Sequence, residues 1–366
     1  MKNSKVIKNI ALKFGAMKLC RQIFKNNTVA ILRYHSIVSP EDNYYASPSI
    51  CISFDKFEKQ IRYISRNFQV ISLDTVADCI QNNEDFPEKA VVITFDDGYK
   101  DNYNAYRVLK KYNITGTFYI AAGCIDNTST LWLFEVIYLV SKTNQKLITI
   151  KLNNTNNTNN TNKTKNTKNT KNTKNQNNGN RGQNTLRFPL ENSKDRSLAI
   201  RRITEVIKSH DLIIREDIRS QLRAQTSDVI DLKEKSEKVM LSWNQVREMV
   251  QNGMSIGGHT MTHLNLPNAK EDDALREITE CKALIQEKTG MPAHHFSYPN
   301  GGNYDYYNDS IIKMVKKSGY RTAATSNNGV AVFPCNPFEL KRLRVTSNLA
   351  EILYQVDIEP VVNSIL

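Results

Sequence analysis

Apolar residues recur along this chain with two different periods. Stretches of strand length at 29–33 and 90–94 are almost wholly apolar, and the second runs into two acids and a glycine. Apolar runs of that length closed by a turn signal predict buried strands. Between them, Phe54, Phe57, Ile61 and Ile64 fall on one face of a helix predicted over 54–67. The alternation continues with a helix over 101–112 and a strand over 116–121. A helix over 243–252 closed by Gly253, a short strand over 255–257 and a long helix over 270–288 ending at Gly290 follow. Strands and helices in this order predict an α/β fold on a mainly parallel sheet, open or closed into a barrel.

One stretch breaks the pattern. Residues 153–184 are a near-perfect repeat of Asn, Thr and Lys with almost nothing apolar to bury, so a disordered insertion is expected. Its N-x-T triplets would be glycosylation acceptors in a secreted eukaryotic protein, but without a clean signal peptide, low-complexity expansion is the better reading. Chemically informative motifs on both sides of it belong together, which makes it a long loop inside one domain. The expected organisation is a basic amphipathic segment at 1–27, one domain over 28–350 containing the insertion, and a tail at 351–366.

The formal charge of +13 suggests nucleic acid until it is mapped. Residues 1–25 and 151–184 each carry seven Lys/Arg and no acid, and the rest of the chain balances 36 basic against 37 acidic residues. The high charge therefore belongs to appendages rather than to a basic groove, and no nucleic-acid partner is expected. In the first segment Lys8, Lys13 and Lys18 interrupt the apolar run, while Val6, Ile7, Ile10, Phe14 and Met17 recur at helical spacing. That describes an amphipathic helix, either packed on the domain or lying on an anionic membrane surface. Cys20, Cys51, Cys79, Cys124, Cys281 and Cys335 are scattered without metal or disulfide spacing and read as free thiols. A cytoplasmic or membrane-peripheral location is expected, with secretion to the cell envelope as the alternative.

Two constellations carry chemistry. In the first, a buried strand ends at Asp96-Asp97-Gly98, and adjacent carboxylates on a rigid turn can divide the duties of binding a cation and moving a proton. In the second, His259 and His263 follow a short strand and two glycines, a spacing that brings both rings to one side. Two imidazoles and one carboxylate make a three-ligand site with room for water, as in catalytic zinc centres; ligand count alone also suits ferrous oxygenases.

Together these motifs, Thr94 to Tyr99 (TFDDGY) and His259 to His263 (HTMTH), resemble the first two motifs of the polysaccharide deacetylase family, the NodB-homology group or carbohydrate esterase family 4. The resemblance spans roughly residues 29–345, and Leu241-Ser242-Trp243 and Gly253 match its context. It implies an incomplete (β/α) barrel and a metal-dependent hydrolase that removes N-acetyl groups from the amino sugars of a glycan. By the same resemblance Asp97, His259 and His263 hold a divalent metal and Asp96 is the general base. Zinc is the first choice, with cobalt, nickel, manganese and iron as alternatives.

A third motif, Phe296 to Gly302 (FSYPNGG), resembles the segment in which a residue after proline offers its backbone N–H to the oxyanion, here Asn300. The arginine of that motif and the late Leu-x-His of well-known members are not evident. Instead Leu32 to Ile37 (LRYHSI) resembles the N-terminal motif of the poly-N-acetylglucosamine deacetylase branch, making His35 the candidate general acid. Leu340 to Val345 (LKRLRV) resembles a late arginine motif in which Arg342 holds Asp96 ionised and oriented. Trp132, Tyr34 and Tyr298 are candidates to stack on sugar rings, and His294 and His295 read as surface or supporting residues. Rival readings on the same residues are a de-N-formylase, a deacetylase of a lipid-linked sugar precursor, and a non-catalytic glycan-binding relative.

Overall fold

The computed structural model describes residues 27–39, 41–127, 129–153, 183–301 and 305–357. The expectations for the N-terminal segment and for disorder in the insertion fall outside these residues, apart from the ends of each stretch.

Chain order begins with β1 (Thr28–Tyr34), α1 (Phe54–Asn67), β2 (Gln69–Val70), α2 (Leu73–Asn82), β3 (Ala90–Phe95), α3 (Asn102–Lys111) and β4 (Thr117–Ile120). It continues with α4 (Trp132–Lys142), β5 (Leu147–Asn153), β6 (Gln183–Pro189), α5 (Ser193–Lys208), α6 (Leu212–Gln225), α7 (Leu232–Ser236), α8 (Trp243–Gln251) and β7 (Ser255–Gly258). The last elements are α9 (Glu271–Thr289), β8 (His295–Ser297), α10 (Asp309–Lys317), β9 (Thr322–Ala324), β10 (Ala331–Val332), β11 (Leu343–Arg344) and α11 (Leu349–Asp357).

Six strands form a parallel sheet in the order β1-β3-β4-β7-β8-β9. Residues 340–344 then span its two edges, since Leu340 bridges Ala324 of β9 while Leu343 and Arg344 pair with Leu32 and Arg33 of β1. The curled sheet is thus the expected incomplete barrel, with its gap filled by this late segment.

Burial on both faces explains the continuous apolar strands. Along β1 and β3, Ala30, Leu32, Tyr34, Val91, Ile93 and Phe95 join the layer against the helices, while Val29, Ile31 and Val92 join Tyr119, Ala324 and Leu340 in a separate core. Strand parity therefore decides which side chains reach the barrel interior. The helix of the 54–67 prediction has those bounds, and buries Phe57, Ile61 and Ile64.

The region between β4 and α8 departs from a simple barrel. There α4, the β5–β6 hairpin, α5 and α6 pack around a core of their own, including Trp132, Ile148, Ile150, Phe188, Ile203 and Leu222. The Asn/Thr/Lys repeat lies between the paired ends of that hairpin, Asn153 and Gln183. At the other end of the chain, α11 crosses residue 351 and packs Ile352 and Leu353 against the main core, so the segment expected as a tail begins as packed helix.

Candidate functional site

A cavity of about 620 Å³ opens at the C-terminal ends of the strands, where a barrel of this kind places its chemistry. His35, Asp96, Asp97, His259, His263 and Asn300 line it, and Arg342 lies just beneath through its contacts with Asp96. Several stand on or beside left-handed turns. Asp97, Thr260, His263 and Asn300 have φ of 77°, 64°, 56° and 74°. Non-glycine residues in the left-handed region carry local strain of order 1–2 kcal/mol, held by surrounding structure. Gly98 tightens the first turn: at its φ of +84°, a Cβ would sit 3.1 Å from Ile120 Cγ2.

Asp97, His259 and His263 converge on one point. Nε2 of His259 and His263 lie 3.4 and 3.3 Å from Asp97 Oδ1, and all three candidate ligand atoms are within 4.8 Å of one another. Ligands about 2.0–2.1 Å from a tetrahedral zinc are separated by about 3.3 Å, so the donor set and spacing fit a divalent cation. Nδ1 of His259 is 2.7 Å from the Ser297 carbonyl, which orients the ring with Nε2 toward the cavity. Burial opposes ionisation of Asp97, but the hydrogen bonds of His259 and His263 outweigh it and hold the carboxyl well below the usual range.

The loop carrying the two histidines is held from three directions. Glu277 of α9 accepts from the Thr262 backbone N–H at 2.8 Å and also takes the Thr262 hydroxyl. Arg215 of α6 donates to the Thr262 carbonyl and hydroxyl at 3.1 and 2.9 Å. Trp132 Nε1 donates to the His263 carbonyl at 3.1 Å.

Asp96 sits in a different environment. Arg342, 0% exposed, donates to both its oxygens at 2.7 and 2.8 Å, while its remaining donors reach the Thr325 carbonyl, Thr94 Oγ1 and Ser297 Oγ. Burial alone raises the carboxyl, but the charges of Arg342 and His259 prevail and hold it at about 2. His35 Nε2 lies 3.9 Å from Asp96 Oδ2. Burial lowers His35 to about 4 against the opposing pull of Asp97 and Asp96, so its imidazole is neutral at neutral pH. The backbone N–H of Asn300 donates to none of the described residues, while its carbonyl accepts from Ser326 Oγ at 2.6 Å.

The aromatic expectations are corrected by strand parity. Tyr34 and Tyr298 are 1% and 0% exposed; Tyr34 faces Phe57 and Phe95 in the helix-facing layer, and Tyr298 donates to the Phe338 carbonyl. Each is one residue from a position that faces the site, His35 and Ser297, so alternation turns it away. Trp132 is 2% exposed and supports His263 rather than offering a face to a sugar. His295 is fully buried rather than superficial, and it clusters with His294 and Asp74. Arg321 Nη1 approaches the same Asp74 oxygen at 3.0 Å, making this a charge network at the opposite end of β8 from Ser297.

Contacts the motifs did not reveal include Arg215, Glu277 and the wall that Ile200, Arg201 and Lys208 of α5 contribute to the cavity. Arg33 lines it as well, and its place two residues before His35 on a strand is the one signal that could have found it.

A family model described as polysaccharide deacetylase matches residues 83–202 and 207–323. YxkH of Bacillus subtilis, which carries a polysaccharide deacetylase name, is 22% identical over 322 residues, covering 87% of this chain and 72% of that protein. A peptidoglycan-N-acetylglucosamine deacetylase of Bacillus cereus is 31% identical over 81 residues, 22% of this chain and 36% of its own length. Among solved structures, the Streptococcus pyogenes deacetylase PplD in complex with acetate aligns with a TM-score of 0.54 at 20% identity, covering 91% of this chain and 99% of that one. IcaB from Ammonifex degensii gives 0.53 at 16% identity, covering 91% and 98%. At these identities the structural likeness speaks for the fold.

Proposed function

The chain belongs to the polysaccharide deacetylase family, the carbohydrate de-N-acetylases, and from that premise we propose that it hydrolyses the acetamide of an N-acetylated amino sugar with a divalent cation, zinc first, held by Asp97, His259 and His263. When bound, the cation supplies Lewis acidity, lowering the pKa of a water and polarising the acetyl carbonyl. The observation that carries the reading is the division of labour between neighbouring carboxylates: Asp97 faces two imidazoles, while Asp96 is held ionised by a buried bidentate arginine and has no place in the ligand set.

Asp96 takes a proton as the water oxygen bonds to the acetyl carbon. Asn300 offers its backbone N–H to the carbonyl oxygen as negative charge develops there. His35 delivers a proton through Nε2 to the departing nitrogen as the C–N bond breaks. Because burial keeps His35 neutral at rest, the proton it gives up is one released by the water and taken first by Asp96; His35 Nε2 lies 3.9 Å from Asp96 Oδ2, a gap that one bridging water spans for the transfer. The products are acetate and a free amine.

The test is acetate release from N-acetylglucosamine oligomers by metal-stripped protein, with and without zinc or cobalt, beside Asp96→Asn and His263→Ala. Release restored by metal in the parent and reduced at least roughly a hundredfold in both variants is expected. Stoichiometric zinc binding with no release from any N-acetylated sugar would overturn the reading.

A further inference from the structure

Among the described residues, two arginines beside this site pair with no carboxylate, although Arg33 feels the charge of Asp96 at longer range. Arg33 and Arg344 are register partners across the parallel β1–β11 pair, so their side chains leave the same face of adjacent strands, and both line the cavity. Among the described residues no carboxylate lies within ion-pair distance of either. Arg33 is half-buried, and its Nε is enclosed without a hydrogen-bond partner. Arg344 spends one donor on the Ser49 carbonyl at 2.7 Å, which fixes the side chain without neutralising it. Like charges this close are unfavourable unless an anion or water lies between them.

Resting on the deacetylase reading, we propose that Arg33 and Arg344 form a phosphate clamp, and that the substrate is an N-acetylated amino sugar carrying a phosphate ester within one sugar residue of the acetamide. Position sets that span: Arg33, near the end of β1, precedes His35, just past it, by two residues, about 7 Å of extended chain. Stoichiometry argues for phosphate rather than carboxylate. In this same site one guanidinium, Arg342, occupies both oxygens of a carboxylate, so two adjacent forks match a group with three terminal oxygens. Ser47 and Ser49, whose hydroxyls are 3.0 Å apart, line the same part of the cavity and add neutral donors. Burial and the Arg342 charge lower Arg33 only to about 10, so it remains a cation at neutral pH.

Calorimetry on the full chain, with no added metal, would compare N-acetylglucosamine with its 1-phosphate and 6-phosphate, and with N-acetylmuramic acid as the carboxylate control. At least one phosphate ester should bind roughly tenfold or more tightly than the neutral sugar, and the better isomer tells an anomeric phosphate from a ring substituent. Arg33→Gln and Arg344→Gln should each reduce the preference, and together abolish it. Arg344 is exposed, so its variant carries the test if Arg33→Gln fails to fold. No preference for either phosphate, an equal gain with the carboxylate sugar, or a preference that survives the double substitution would overturn the clamp. Acetate assays with added zinc, on the same ligands and on neutral N-acetylglucosamine oligomers, separate the two readings. Phosphate-selective binding without acetate release sinks the deacetylase reading alone, whereas release from neutral oligomers with no phosphate preference sinks the clamp alone.

Discussion

The Arg342 guanidinium meets both oxygens of Asp96 and is itself enclosed, with every one of its nitrogens engaged. A buried carboxylate beside such a partner is ionised throughout the neutral range, whereas the same burial without the partner drives its pKa up. The pair therefore favours folding at any pH above the ordinary carboxylate range, and that contribution fades as the pH falls through about 2. Arg342→Gln should shift the acid limb of kcat/KM upward by several pH units, because burial is then opposed only by the weaker neighbours. Stability should fall by about 3–5 kcal/mol as an uncompensated charge is left inside the barrel. A pH–rate profile read beside a denaturant titration decides between the roles. A loss of activity with the limb unmoved would make Arg342 a packing residue with no hold on the base.

At the scale of the element, the turn from His259 to His263 cannot stand alone, since Thr260 and His263 both hold left-handed backbone. Glu277 from α9, Arg215 from α6 and Trp132 at the start of α4 pin it through backbone groups, so the precision of the candidate ligands is imported from outside the barrel. Arg215→Met should weaken zinc binding about 10- to 100-fold in a chelator competition, and also lower the melting midpoint of the metal-free protein, because Glu277 and the Thr262 carbonyl lose a buried partner. Unaltered zinc affinity would show that Glu277 and Trp132 suffice.

These supports also mark how far the sequence could be read. Strand and helix order along the barrel was legible because burial stamps a period on each element, as at β3 and α1. Asp96, Asp97, His259 and His263 were legible because a turn concentrates its chemistry in a few adjacent letters. Side-chain direction was legible only through parity, which aromatic character overrode at Tyr34 and Tyr298. Arg215 and Glu277 left no local signal, because what they recognise is the backbone of a loop distant in sequence. The α4–α6 core escaped notice because the Asn/Thr/Lys repeat separates the two strands of its hairpin.

For the molecule as a whole, that second core is part of the site rather than an ornament on the barrel. Through α5 it supplies Ile200, Arg201 and Lys208 to the cavity, and through α6 it grips the histidine turn. Its hairpin is anchored at the base, where Ile148, Ile150 and Phe188 are buried, and the outer edge of β5 is capped by side chains. Gln225 exchanges hydrogen bonds with Thr149 at 2.9 and 2.7 Å, and Gln221 with Lys151 at 2.8 and 2.9 Å, so two residues one turn apart on α6 stand in for a neighbouring strand. None of these contacts requires residues 154–182. Asn153 and Gln183 are already register partners, and a two-residue Asn-Gly turn can join such a pair. Replacing 154–182 with Asn-Gly should leave kcat/KM on soluble N-acetylglucosamine oligomers within about twofold and the melting midpoint unchanged or higher. A tenfold loss of kcat/KM in a variant that melts like the parent would place the repeat in substrate capture, and the wall formed by α5 would then be only half of the surface that meets the glycan.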